Sequence, residues 1–516
     1  MREQLYPRRR AALAVLALSL VVIGMDNTIL NVALPTLVRD LNATASELQW
    51  IVDSYVLVFA GLLLTMGALG DRFGRKLALM SGMAVFAIAS AGSAWAGSPE
   101  LLIATRAAMG IGAALIMPST LSIITDIFPP NERGRAIAVW AAIAGLGIVA
   151  GPVIGGWLLE HYWWGSVFLV NLPIVSLAIV GGSALVPESR DPQATPLDPL
   201  GAVLSIAGLS ALVFGIIEAP ENGWTDGVTL LALATAVVLL SVFVAWELRC
   251  KHPMLRISFF KKDPRFTAAS VAITLVFFAL SGTIFILTQH LQFVLGYSAL
   301  EAGFRVTPIA TMVIGAPLAA RAVERVGTKA VVTAGLTAVA TALWLVSGVD
   351  IDSGYVPLAW ALSLMGLGMG ATMAPATDSI MGSLPLAKAG VGSAMNDTTR
   401  MVGGALGVAV IGSVLSSSYG EAIAPAVSNL SPSAASAASD SVGAALGVAG
   451  RIGPQASELV QAARSAFVES MGNAALVAAG VALLGAMVAL FFLPAQPRAS
   501  ETESQTTPSL ETVPTS

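Results

Sequence analysis

Charge is what this 516-residue chain has least of: Asp, Glu, Lys and Arg make up 11% of it. Soluble domains carry about 25%. A fold this poor in charge has too little polar surface to face water all round. Histidine is nearly absent too, with only His161, His252 and His290, far apart in the chain. No metal cluster or nucleophile triad is visible. One cysteine, Cys250, excludes an internal disulfide framework. No Gly-rich loop ends in Gly-Lys-Ser or Gly-Lys-Thr, so the chain lacks the usual phosphate cradle of an ATP-driven pump.

What the chain does have is apolar sequence in runs of spanning length. Hydrophobic residues are 56% of the total, and the mean hydropathy is +0.80. A spanning helix needs about 20 apolar residues. Such runs predict fourteen spans, at 11–34, 48–69, 77–96, 100–123, 134–158, 165–186, 199–218, 228–248, 267–289, 299–320, 328–347, 355–377, 389–415 and 468–493. Arg8, Arg9 and Arg10 precede the first run, but no small-residue cleavage site follows, so it reads as a retained first span. With the N-terminus inside, every loop cation except Arg39, Arg451 and Arg464 falls on the inner side. That bias orients multispan proteins. It predicts cytoplasmic termini and an even span count. The segment Pro187–Pro199 reads as an inner connector. Region 416–466 reads as a long outer loop, with Gln455–Met471 as a helix lying on the membrane surface. The tail 495–516 is Ser/Thr/Glu-rich and reads as disordered and cytoplasmic.

The two ends of the chain repeat one another. Asp71-Arg72-Phe73-Gly74-Arg75-Lys76 is echoed by Glu324-Arg325-Val326-Gly327-Thr328-Lys329. Met109-Gly110-Ile111-Gly112 is echoed by Met365-Gly366-Leu367-Gly368, and Gly147, Gly151 and Gly156 by Gly403, Gly407 and Gly412. The pattern predicts an all-α membrane protein: a six-helix half (1–187), two inserted helices (188–265) and a second six-helix half (266–494). Parallel halves of this kind place a substrate near the midplane between them.

These residues also carry a family resemblance. Gly67 through Lys76 resembles the loop between spans two and three of the major facilitator superfamily. Met25 through Pro35 resembles the first-span signature of its fourteen-span drug:proton antiporter branch. Arg106 with Gly110 and Gly112 is similar to the fourth-span signature. Gly147 through Gly156 is similar to the fifth-span signature associated with antiporters. The resemblance covers essentially residues 10–495. It implies the major facilitator fold and proton-coupled export of hydrophobic, often cationic, drugs by alternating access.

Each candidate residue carries a functional and a plainer reading. Asp26 lies mid-span, where an ionisable group is expensive and marks function by default. It either couples protons or makes a fixed pair with Arg106, and Arg106 can compete with the proton for it. Arg106 has no counterpart in the second half, where Leu362 stands. Asp53 is either an interfacial acid or one that recognises a cation or carries a proton. Asp397 either holds substrate or proton beside Asn396, or is tied to Arg400 one turn on. The added Arg400 departs from the acid-rich version of the branch. Asp378, nearer the inner end of its span, reads as a helix-end or gate residue. Asp71, Arg72, Gly74, Arg75 and Lys76 resemble an inner latch, with Asp71 suited to capping a neighbouring helix N-terminus. Gly147, Gly151, Gly155 and Gly156 with Pro152 suit close helix packing, read as a seal between the halves. Tyr55, Phe277, Phe278 and Trp360 are candidates for lining the cavity.

The expected protein is not an enzyme and takes no cofactor, metal or nucleic acid. Its partners are a small hydrophobic or cationic substrate, protons and membrane lipid, and it is monomeric in a bacterial cytoplasmic membrane. The alternatives are export of an endogenous metabolite or lipid and, with less support from these apolar spans, solute:proton symport.

Overall fold

The computed structural model describes residues 7–41, 45–190, 198–251, 253, 264–384, 389–451 and 456–493. The tail 495–516, Pro385, Lys388, much of the Pro187–Pro199 connector and most of the basic stretch between Arg249 and Arg265 lie outside these residues.

Every described element is helical: α1 (Arg9–Leu41), α2 (Ala45–Phe73), α3 (Arg75–Ala94), α4 (Pro99–Ile127), α5 (Pro130–His161), the short α6 (Ser166–Leu169), α7 (Asn171–Leu185), α8 (Pro199–Asn222) and α9 (Gly227–Glu247). Then come α10 (Pro264–Gln289), ending in a π-turn at His290–Val294, α11 (Ala299–Val306), a 3₁₀ turn (Thr307–Thr311), α12 (Met312–Ser347), α13 (Tyr355–Gly382), α14 (Ala389–Val427), α15 (Pro432–Asp440), α16 (Val442–Ala449) and α17 (Ala456–Phe492). Several starts carry local signals. Ser98 caps α4 ahead of Pro99, Asp198 caps α8 ahead of Pro199, and Ser298 with Glu301 forms a capping box on α11.

Among the described residues, thirteen helical stretches have the length and apolarity to cross a membrane. One of them, Leu300–Ser347, is 48 residues long and breaks at Gly327, where φ is 82° and ψ 161°. A residue with positive φ cannot continue a right-handed helix, so this stretch is two spans and the total is fourteen. Gly74, at φ 130°, breaks the first half at the matching place. The outer surface suits a bilayer. In α9 only 17% of the most apolar stretch is buried, and Trp360, Trp344 and Phe491 point outward. Water would tolerate no apolar surface of this extent.

The repeat in sequence is a repeat in packing. Gly147 and Gly151 of α5 seat the backbone of α1 at Val21 and Met25, and Gly403 and Gly407 of α14 seat α10 at Thr274 and Phe278. Gly112 meets Gly82 in one half, and Gly368 meets Gly335 in the other. The inserted pair packs on itself and against one helix of each half. Ser210 of α8 lies against Gly61 of α2, while Trp224 Nε1 donates to Ser413 Oγ of α14 (2.9 Å).

Region 416–466 is mostly helical. The stretch expected to lie on the membrane surface is instead the first part of α17, continuous with the last span. Arg464 on it donates from Nε to the Phe293 carbonyl (3.0 Å), which ties it to the end of the ninth span. Helical periodicity is the same for a helix on a surface and for one that extends a span; tertiary contact decides between them.

Candidate functional site

Two of the buried charge clusters hold the predicted proton-coupling acids Asp26 and Asp397. The first lies inside the N-terminal half. Asp26 of α1 is fully buried, and Arg106 Nη1 reaches its Oδ2 at 2.5 Å. Asn171 Nδ2 contacts Asp26 Oδ1 (3.2 Å) and also Ser90 Oγ (3.1 Å). Arg106 Nε donates to the Ile51 carbonyl (3.2 Å), and the guanidinium lies 4.4 Å from the Tyr55 ring centre. The Tyr55 hydroxyl has no hydrogen-bond partner among the described residues. The predicted Asp26–Arg106 pair therefore exists, with Asn171 and Ser90 as members the sequence reading missed. An amide at 171 in an apolar span was the available signal. In the other half Ala279 and Leu362 occupy the matching places, both buried. Removing one member of a buried pair typically costs about 3–5 kcal/mol.

The second cluster lies where the halves meet. Asp397 of α14 is buried, with Arg400 Nη1 at 3.6 Å from its Oδ1. Asn396 Nδ2 donates to the same oxygen (3.3 Å), and Thr377 Oγ1 donates to Asn396 Oδ1 (3.1 Å). The Arg400 guanidinium sits 4.7 Å from the ring centre of Trp140, on α5 of the first half, and 5.1 Å from that of Phe277, on α10 of the second. Asp397 Oδ2 and Arg400 Nε and Nη2 are buried without hydrogen-bond partners among the described residues. Trp140 was not anticipated; nothing in its local sequence separates it from a packing aromatic.

Asp53 takes neither place. It is half-buried on α2 and lines a narrow cleft with Trp50, Leu57, Phe214, Ile217 and Glu218, so it faces the inserted α8. Trp360 faces outward, and Phe278 is buried with its backbone under Gly407.

At the basic end, which carries the Asp71–Lys76 turn, the halves are joined by charge. Asp71 Oδ1 accepts from Arg75 Nε (2.9 Å) and from the backbone N–H of Gly390 (2.9 Å), while Oδ2 accepts from that of Val391 (3.2 Å). Asp71 thus caps the N-terminus of α14 across the interface, where a negative charge is favoured. The approach needs glycine on both sides: a Cβ at Gly67 would lie 2.5 Å from the Gly390 carbonyl oxygen. Gly74 turns the chain, Arg75 N donates to Ser189 O (2.8 Å) and Lys76 Nζ to Ser183 O (2.8 Å), so these residues hold the turn in its own half. Arg72 lies over Phe73. Two further links do cross: Arg135 to Glu324 (2.8 Å), and the Asp378 carboxylate facing Gly134 and interacting with Arg133.

The fifth-span glycines divide. Gly147, Gly151 and Gly155 close on α1 within their own half, so they do not form the expected seal between halves. Pro152 against Gly303, and Gly156 against Leu300, do lie between the halves. An i, i+4 spacing defines a helix face but not the neighbour that meets it.

Comparison with known proteins agrees with this architecture. The family model of the Major Facilitator Superfamily matches residues 16–408. The chain is 39% identical over 485 residues to the multidrug efflux pump LfrA of Mycolicibacterium smegmatis, covering 93% of this chain and 95% of that one. It is 35% identical over 494 residues to the tetracenomycin C resistance and export protein of Streptomyces glaucescens, covering 94% and 92%. The crystal structure of the human organic anion transporter MFSD10 superposes with a TM-score of 0.62 at 16% identity, over 94% of this chain and 100% of that one; it shows the shared fold. With its two six-helix halves, its inserted pair and a family match over most of its length, this chain belongs to the Major Facilitator Superfamily.

Proposed function

We propose that the chain is a proton-coupled antiporter that exports hydrophobic drugs by alternating access, from a bacterial cytoplasmic membrane, with the basic end and both termini in the cytoplasm. The observation that carries this is the place of Asp397 and Arg400, at the plane where the halves meet. Separation of the halves removes Trp140 from Arg400 and changes the surroundings of a titratable group. That is what coupling a proton to a conformational change requires. The near-full-length relationship to proteins named for drug efflux and drug-product export supports the cargo class.

In this reading Asp71 and its companion links hold the cytoplasmic end shut while the outer side exchanges protons and cargo. A proton taken up from outside weakens the hold of Asp397 on Arg400, cargo leaves, and the cytoplasmic end opens. Each pH unit supplies about 1.4 kcal/mol per proton, and the membrane potential about 2.3 kcal/mol per 100 mV for each charge moved. Asp26, closed off inside one half, serves as a second proton site or as a fixed brace. A compound made by the cell is the second cargo reading, favoured by the relative named for tetracenomycin C export.

The test is the purified protein in liposomes with an imposed pH gradient, following a fluorescent hydrophobic drug and lumenal pH together. Opposed drug and proton fluxes, lost in Asp397→Asn, support antiport. Drug flux indifferent to the gradient removes the proton from the mechanism. Asp26→Asn separates the two roles: loss of coupling with retained drug binding marks a proton site, and loss of folding marks a brace.

A further inference from the structure

The guanidinium of Arg400 is committed on three sides and free on the fourth. Trp140 and Phe277 lie against it, 4.7 and 5.1 Å from its central carbon, and Nη1 faces Asp397 Oδ1. The remaining edge is formed by Nε–H and the N–H of Nη2 that runs parallel to it. Both of these nitrogens are buried and without a hydrogen-bond partner among the described residues, in a residue 94% out of contact with solvent. This edge of an arginine matches two coplanar oxygens, as in bidentate carboxylate recognition. Leaving such donors unmet in an apolar site is costly, so the arrangement is suited to a partner that arrives and leaves.

Resting on the proposed function, which puts this cluster at the plane where the halves meet, we propose that the Nε/Nη2 edge of Arg400 is a substrate subsite. It takes flat aromatic compounds that present a carboxylate, or an equivalent pair of coplanar oxygen acceptors. Such a ligand sets its oxygens on Arg400 and its rings against the aromatic surface of Trp140 and Phe277. The unpartnered Asp397 Oδ2 accepts from any donor group beside the acid. A cationic ligand meets a resident cation here, stacked on the same two aromatic rings that the ligand would use. Arg400 therefore biases the site toward acceptors and against cations. The matching position of the first half holds Ala144, so the repeat supplies no second copy of this edge.

The experiment compares two probes with one ring system and opposite heads: anthracene-2-carboxylate and 2-(aminomethyl)anthracene in its protonated form. Binding to the full-length purified protein is followed by probe fluorescence polarisation at fixed pH, with no gradient. Failure of proton coupling therefore leaves the measurement intact. Wild type is expected to favour the carboxylate probe. Arg400→Met should lower that probe's affinity by about tenfold or more, equal to 1.4 kcal/mol per tenfold, and raise that of the ammonium probe. Arg400→Lys keeps the charge but loses the paired donors, so it should recover only part of the preference. If Arg400→Met does not fold, the lysine variant decides alone. The proposal is overturned if wild type shows no preference, if the preference survives in the folded variants, or if both probes lose affinity equally. That last result would mean that Arg400 only shapes the site.

Discussion

Asp71→Asn tests the link between the halves most directly. The carboxylate receives Arg75 from its own half and the N–H groups of Gly390 and Val391 from the other. The Arg75 bonds exist whether or not the halves meet at this end. The two backbone bonds exist only when they do, so only these bias the conformational equilibrium. A hydrogen bond to a charged group contributes about 1.5–3 kcal/mol. Asparagine keeps one acceptor oxygen and turns an amide toward the other N–H. A net loss of about 2 kcal/mol follows, which shifts the equilibrium about 30-fold toward separation at the basic end. Spin labels at Ser183→Cys and Arg325→Cys, in a Cys250→Ser background, would report it as a longer component in the inter-label distance distribution. Both positions are exposed and lie in opposite halves at that end. A distribution identical to that of the unsubstituted chain would refute the argument. The same variant removes the carboxylate charge that is paired with the buried Arg75, so its melting temperature should also fall.

Other substitutions probe the rest of the frame. Arg106→Met should destabilise the protein by about 3–5 kcal/mol by stranding Asp26, and Asp26→Asn in the same chain should recover much of that in a denaturation double-mutant cycle. Gly147→Val should cost about 1–3 kcal/mol of stability, because its Cβ would lie 2.7 Å from a backbone oxygen of α1 that cannot turn away. Gly156→Ala meets only the side chain of Leu300, with its movable Cδ1 nearest and no backbone, so it should alter transport rate more than melting. Gly327→Ala places a side chain at φ 82° and should cost about 1–2 kcal/mol, read as a lower melting temperature.

Span number, the break at Gly327 and the repeat were legible because each rests on local sequence: apolar runs of fixed length, a Gly where the chain must leave a helix, and matched glycine spacings. The Asp26–Arg106 pair was legible because two opposite charges in apolar spans have few other places to go. What was not legible is which faces meet. The glycines of α5 turned to α1, and Asp53 to the inserted α8, because inter-helix contact depends on the rotation of each helix within the bundle, which periodicity leaves open. Trp140 was invisible for the same reason: its importance comes from Arg400, which is 260 residues away along the chain. Gln455–Met471 was misplaced because its continuity with the last span is settled by packing near Phe293, not by its own pattern.

The repeat gives the molecule two versions of one strap. Asp71 and its echo Glu324 each reach from the turn of their own half into the other, to α14 and to Arg135 respectively. The first strap is dry and fixed to backbone. The second is a wet pair, with both side chains more than half exposed. Dissolved ions weaken exposed pairs and hardly touch buried ones. The two edges of the closed end therefore respond differently to the salt around them: the Arg135 edge loosens first, and the molecule parts along one side before the other, with Asp71 as the pivot.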